Sequence, residues 1–100
     1  MITNFKIFES LNKFLLCIKE PDTGFYLKLT KGKKYKIYES FKIGIRIKDD
    51  TKKFGRIEHW LWDKENIYGI ITYRYAGCIL TSANSIDDFN MIYNLKKYNL

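Results

Sequence analysis

One hundred residues, 46% of them apolar, suit one folded domain over 1–100 with a single small core, and exclude a disordered chain. No stretch reaches the roughly 18 apolar residues of a membrane span, and the start MITNFKIFES lacks the charged-then-apolar order of a secretory leader, so a cytoplasmic protein is expected. The formal charge of +7 is local, because residues 28–56 carry eleven Lys or Arg against Glu39, Asp49 and Asp50, a balance that invites nucleic acid or an acidic protein face.

In chain order, residues 1–12 suit a short N-terminal helix through Ile2, Phe5, Phe8 and Leu11, although FKIF could also begin a strand. FLLCIKEPDTGFYLKL reads as two strands joined at Pro21-Asp22-Thr23-Gly24, where proline presets φ and glycine tolerates a positive one. Thr30-Lys31-Gly32-Lys33 is the next turn. YKIYES then alternates, with Tyr35, Ile37 and Glu39 on one side and Lys34, Lys36 and Tyr38 on the other. FKIGIRIKDD repeats the pattern, with Ile43, Ile45 and Ile47 inward and Lys42, Arg46 and Lys48 outward. After the turn DDTKKFG, RIEHWLWD and the polar DKEN lead into IYGIITYRYAGCIL, a second hairpin and a longer run bent at Ala76-Gly77. The C-terminus predicts a helix of about three turns: Ser85 at the N-cap, Asp87 and Asp88 in the first turn, an apolar stripe of Ile86, Phe89, Ile92 and Tyr93, and Lys96-Lys97 at the end.

The elements predict a mainly β (α+β) domain: a strongly bent antiparallel sheet or small barrel of five or six strands, a C-terminal helix and a short N-terminal one. Leu29-Thr30-Lys31-Gly32-Lys33-Lys34-Tyr35-Lys36-Ile37, followed by Ile45-Arg46-Ile47-Lys48-Asp49-Asp50, resembles the beginning of SH3-like barrel modules common in small bacterial and phage proteins. The family usually places a glycine directly after the paired acids, whereas here Lys52 and Lys53 precede Gly55. The resemblance implies a binding unit and nothing more specific.

Catalytic signals are sparse. His59, the single histidine, shares a strand face with Ile57 and Leu61, and Glu58 points away from it, so a satisfied or semi-exposed imidazole is expected. The paired acids Asp49-Asp50 and Asp87-Asp88 suit turn geometry and a helix start. A metal-dependent nuclease would instead need Asp49, Asp50, Asp63 and Glu65 to converge. The glycines never gather into a phosphate-cradling loop, and Cys17 and Cys78 sit in apolar runs as buried thiols. No catalytic residue, metal, cofactor or small-molecule substrate is expected.

The remaining pattern is a comb of cations. Lys28, Lys34, Lys36, Lys42, Arg46 and Lys48 fall on the outward register of three consecutive strands, extended by Lys31, Lys33, Lys52, Lys53 and Arg56, with Tyr26 and Tyr38 interleaved. Cations among tyrosines suit a phosphate backbone with stacked bases, or an acidic groove. Two plainer readings compete: a solvated face whose lysine stems cover apolar surface, and lysine drift in an AT-rich genome. Trp60 and Trp62 share a face, exposed if Ile57 and Leu61 are core and buried otherwise. The expectation is a non-enzymatic phage or mobile-element accessory protein whose basic sheet face binds a nucleic-acid-processing complex, such as an RNA-guided nuclease, as an inhibitor of the anti-CRISPR type that occupies an RNA or DNA channel. Direct RNA or single-stranded DNA binding and a small metal-dependent nuclease stay open beside it.

Overall fold

The structure, a computed structural model, describes residues 13–98, with side chains as far as residue 95. The N-terminal helix expected over residues 1–12 lies outside the described residues. Seven strands and a helix follow in order: β1 Phe14–Lys19, β2 Lys34–Phe41, β3 Gly44–Lys48, β4 Phe54–Glu58, β5 Asp63–Ile67, β6 Ile70–Tyr75, β7 Cys78–Thr81 and α1 Ile86–Tyr98. All pairings are antiparallel in one sheet of order β4-β3-β2-β1-β7-β6-β5, so β1 lies between two three-stranded meanders.

The connectivity forces this sheet to curl. Edge strands β4 and β5 are joined by residues 59–62 alone, a path that reaches at most about 18 Å. In a flat sheet those edges would stand about 29 Å apart at a strand spacing of about 4.8 Å. The connection is tighter still, since the Leu61 and Trp62 amides both donate to the Glu58 carbonyl, at 3.1 and 2.9 Å. The result is a half-barrel with a concave inner face holding Leu15, Cys17, Tyr35, Ile45, Ile47, Ile57, Tyr73, Cys78 and Leu80.

Described residues form seven strands rather than the expected five or six, for two reasons. Asp63–Ile67, whose polar DKEN was expected only to lead into the next run, is the edge strand β5, where charged side chains are tolerated because an edge faces water. The run over 70–81 is two strands, because Ala76 and Gly77 both adopt positive φ, 50° and 79°, the geometry of a two-residue hairpin turn. Tyr68 and Gly69 make the same kind of turn between β5 and β6, at φ 53° and 85°.

The expected hairpin at Pro21–Gly24 is also corrected. Its turn forms, with the Phe25 amide donating to the Asp22 carbonyl at 3.2 Å, but residues 25–29 do not pair with β1 as a strand. The Asp22 amide is drawn instead to the Ala76 carbonyl at 3.0 Å, and the chain crosses one end of the half-barrel. Leu27 and Leu29 keep their alternation and plug that end, buried beside Trp62. Gly55 admits this packing: a Cβ there would collide with the Leu27 side chain. The turn over 30–33 forms as expected and bonds back to β1, with Cys17 N to Lys33 O at 3.0 Å and Gly32 N to Cys17 O at 2.7 Å.

Helix α1 begins as its sequence indicated, with Ser85 Oγ accepting the Asp88 amide at 3.1 Å and Asp87 and Asp88 in the first turn. It covers the outer face of the sheet over β6, where the Arg74 guanidinium lies 4.8 Å from the centre of the Tyr93 ring. Leu16, Thr72, Thr81 and Phe89 are buried in this half of the molecule. The outer face of β2, β3 and β4 remains exposed at Lys36, Tyr38, Phe54 and Arg56.

Candidate nucleic-acid interface

Strand register builds the exposed face. On β3 and β4, Arg46 stands opposite Arg56 and Lys48 opposite Phe54, while Ile45, Ile47, Gly55 and Ile57 turn inward. On β2 a bulge intervenes: Ile37 pairs with Ile47, but Glu39 pairs with Arg46, leaving Tyr38 as the extra residue. The simple alternation read from YKIYES therefore breaks there. Glu39 moves to the outer side and its carboxylate meets Arg46 at 2.9 Å. An acid thus sits within a comb that appeared free of acids, and the Arg46–Arg56 juxtaposition is relieved on one side only.

Two rings organise the charge. Tyr38 and Phe54 meet edge to face at 5.3 Å and are 46% and 45% exposed. Lys36 lies 5.2 Å from the Tyr38 ring centre, Lys48 5.3 Å from Tyr38 and 4.7 Å from Phe54, and Arg46 4.7 Å from Phe54. Arg56 sits over Phe41 at 5.2 Å. Such contacts are individually weak, about 0.5–1 kcal/mol at exposed sites, but together they hold three cations around an aromatic pair and a fourth over Phe41. The face can neutralise phosphates and offer ring edges and faces to bases. Phe54 and Phe41 were missed at the sequence level; the Gly55/Ile57 inward register, which throws Phe54 and Arg56 outward, was the signal for the former.

The other anticipated cations divide among different places. Lys34 stands on β2 opposite Leu16. Lys42 and Ile43 form the β2–β3 turn, so Ile43 is exposed rather than inward. Lys28 lies on the crossover, off the sheet. Lys31, Lys33, Lys52 and Lys53 gather around the turns at the plugged end, where Asp49 and Asp50 are the organisers. Asp49, 5% exposed, accepts the backbone amides of Lys28, Thr51 and Lys53 and the Thr51 hydroxyl, all within 2.7–3.0 Å. Asp50 accepts Thr30 Oγ1, the Tyr35 hydroxyl and Lys33 Nζ at 2.6, 2.9 and 2.7 Å. Burial works against both charges, yet these donors prevail and hold both carboxyls below their ordinary value. Burial, reinforced by Asp50, pushes Tyr35 up to about 12.

The aromatics expected to contact a partner behave differently from one another. Trp62 is core at 1% exposure, whereas Trp60 is 74% exposed, because the turn at 59–62 breaks the strand that would have aligned them. Tyr26 is tied inward: its hydroxyl accepts Trp62 Nε1 at 3.1 Å and donates to the Arg56 carbonyl at 2.7 Å. His59 donates its amide to the Ile43 carbonyl and its Nε2 is buried with no hydrogen-bond partner among the described residues, so of the two states expected the half-buried residue has the semi-exposed one. Cys17 and Cys78 are free, fully buried thiols, as their apolar contexts implied. The neighbouring Cys17 thiol and burial push the Cys78 thiol up.

Asp49 and Asp50 are committed to the turns, and Asp63 and Glu65 stand on β5 with Glu65 against Arg74 at 3.0 Å. No group of three or more potential metal ligands forms among the described residues. No helix among them is long and apolar enough to cross a membrane. Comparison with protein-family models, with curated proteins and with solved structures found no match to this chain.

Proposed function

We propose that this chain is a non-enzymatic accessory protein that binds single-stranded nucleic acid through the outer face of β2, β3 and β4. The observation that carries the reading is the Tyr38–Phe54 pair ringed by Lys36, Arg46 and Lys48 on a sheet face that no helix among the described residues covers. Cations at ring edges would neutralise the backbone while bases stack on the rings. The setting that fits the chain's size and composition is a phage or mobile element, with the strand presented by a nucleic-acid-processing complex such as an RNA-guided nuclease. An inhibitor of the anti-CRISPR type would then dock on the exposed guide or target strand. The positive sign of the face directs it to phosphates and away from the basic walls of the channel. Kinship with SH3-like barrels belongs to the same proposal and is compatible with the curled sheet.

Fluorescence anisotropy with labelled single-stranded RNA and DNA tests the reading. Four cations on the face would give a log–log salt slope of about −3. Phe54→Ala should weaken binding about tenfold, within the range of one lost base–ring stack. Salt-independent affinity would remove the proposal. Capture from host lysate with and without nuclease treatment separates a free strand from one held in a complex.

A further inference from the structure

Among the described residues the crossover plugs one end of the half-barrel. At the other, where β1 begins and β2 ends, the concave face opens into a cavity of about 850 Å³. Leu15, Ile37, Ile45 and Ile71 give it an apolar floor, and the exposed Lys13, Lys34, Lys42 and Lys64 stand at its rim. No carboxylate occurs among its described lining residues. Inside, the imidazole of His59 stacks on the Tyr73 ring, centroids 6.0 Å apart and planes 19° from parallel. The His59 amide is fixed by the Ile43 carbonyl at 2.8 Å, while its Nε2 is buried and unpartnered among the described residues.

We propose that this cavity is a mononucleotide site, with the base on the open side of the His59–Tyr73 stack and the phosphate held by the lysine rim. The choice follows from what the walls offer together. A wholly aliphatic anion would leave the His59–Tyr73 stack without a ring to extend it, and would offer nothing to the hydroxyl of Ser40 or the amide of Asn84. An inorganic anion would satisfy the rim and leave the apolar floor bare. A cation is repelled by four lysines with no carboxylate beside them. A nucleotide supplies a planar apolar body, polar edges and a terminal anion in one molecule. The site opens on the concave side, away from Tyr38 and Phe54, and does not rest on the sheet-face proposal.

The test is an NMR titration of the labelled protein with AMP, CMP, GMP and UMP, followed at the His59 and Tyr73 ring resonances. Saturable shifts there are expected, weakened about tenfold or more by Lys42→Glu combined with Lys64→Glu, both exposed positions whose replacement leaves the core intact. A 5′-phosphorylated oligonucleotide beside its 5′-hydroxyl counterpart distinguishes the source. Matching shifts from the phosphorylated strand identify a strand end, and shifts from free nucleotides alone identify a soluble one. Absence of a saturable shift at His59 from every nucleotide, or equal affinity in the double variant, overturns the site. The sheet-face proposal is read separately, at Tyr38 and Phe54.

Discussion

Asp49 shows how much of this fold can depend on one carboxylate. It gathers three backbone amides from two segments, the crossover and the β3–β4 turn, and so fixes the plugged end of the half-barrel. Its carboxyl is held below the ordinary value despite burial, so the charged form contributes stability that is complete above the unfolded value and is lost as pH falls through the folded one. Urea midpoints measured from about pH 6 down to about pH 3 should fall in the wild type, and Asp49→Asn should flatten that dependence while lowering stability at neutral pH by about 1–3 kcal/mol. A variant as stable as wild type would show that the turn does not need this acceptor. The residue scale was the least legible in sequence. An acid next to an acid on a turn was recognisable, but its bonds reach Lys28, 21 positions away.

Among the elements, the turns carry the most specific information. Ala76 holds φ at 50° beside Gly77, a conformation that costs an L-residue with a Cβ about 1–2 kcal/mol. Asparagine visits this region more easily and Asn-Gly is the favoured pair for such hairpins. Ala76→Asn should therefore raise stability by about 0.5–1 kcal/mol, read as a higher melting temperature; an unchanged or lower one would place the strain elsewhere. The sequence showed the alternation of β2, β3 and β4 and the cap of α1 plainly, because each is a local pattern of apolar spacing. It hid β5, whose DKEN lacks an apolar face, and it suggested a strand at 25–29, where alternation is real but the hydrogen-bond partners go to Asp49 and Asp50.

At the scale of the molecule, β1 joins the two meanders through a shared core, and Cys17 on β1 and Cys78 on β7 both lie fully within it. Their thiols should react with a soluble thiol reagent together and only at the rate of global unfolding. Modification of one far ahead of the other would mean that the meanders open independently. The same architecture separates the two candidate surfaces. The curl places Tyr38, Phe54 and their cations on the convex side and His59, Tyr73 and Lys64 on the concave one, so each can be altered without touching the other.

By itself the sequence determined that this is a mainly β chain with a capped terminal helix and a basic middle third, because periodicity, capping and charge are written in neighbouring residues. Only the tertiary structure decided which cations share a face, that Trp62 is core while Trp60 is not, and that His59 meets Tyr73 across a cavity. Those outcomes depend on a bulge at Tyr38, a four-residue link between opposite sheet edges and a crossover that leaves the sheet, all set by contacts between residues far apart in the chain.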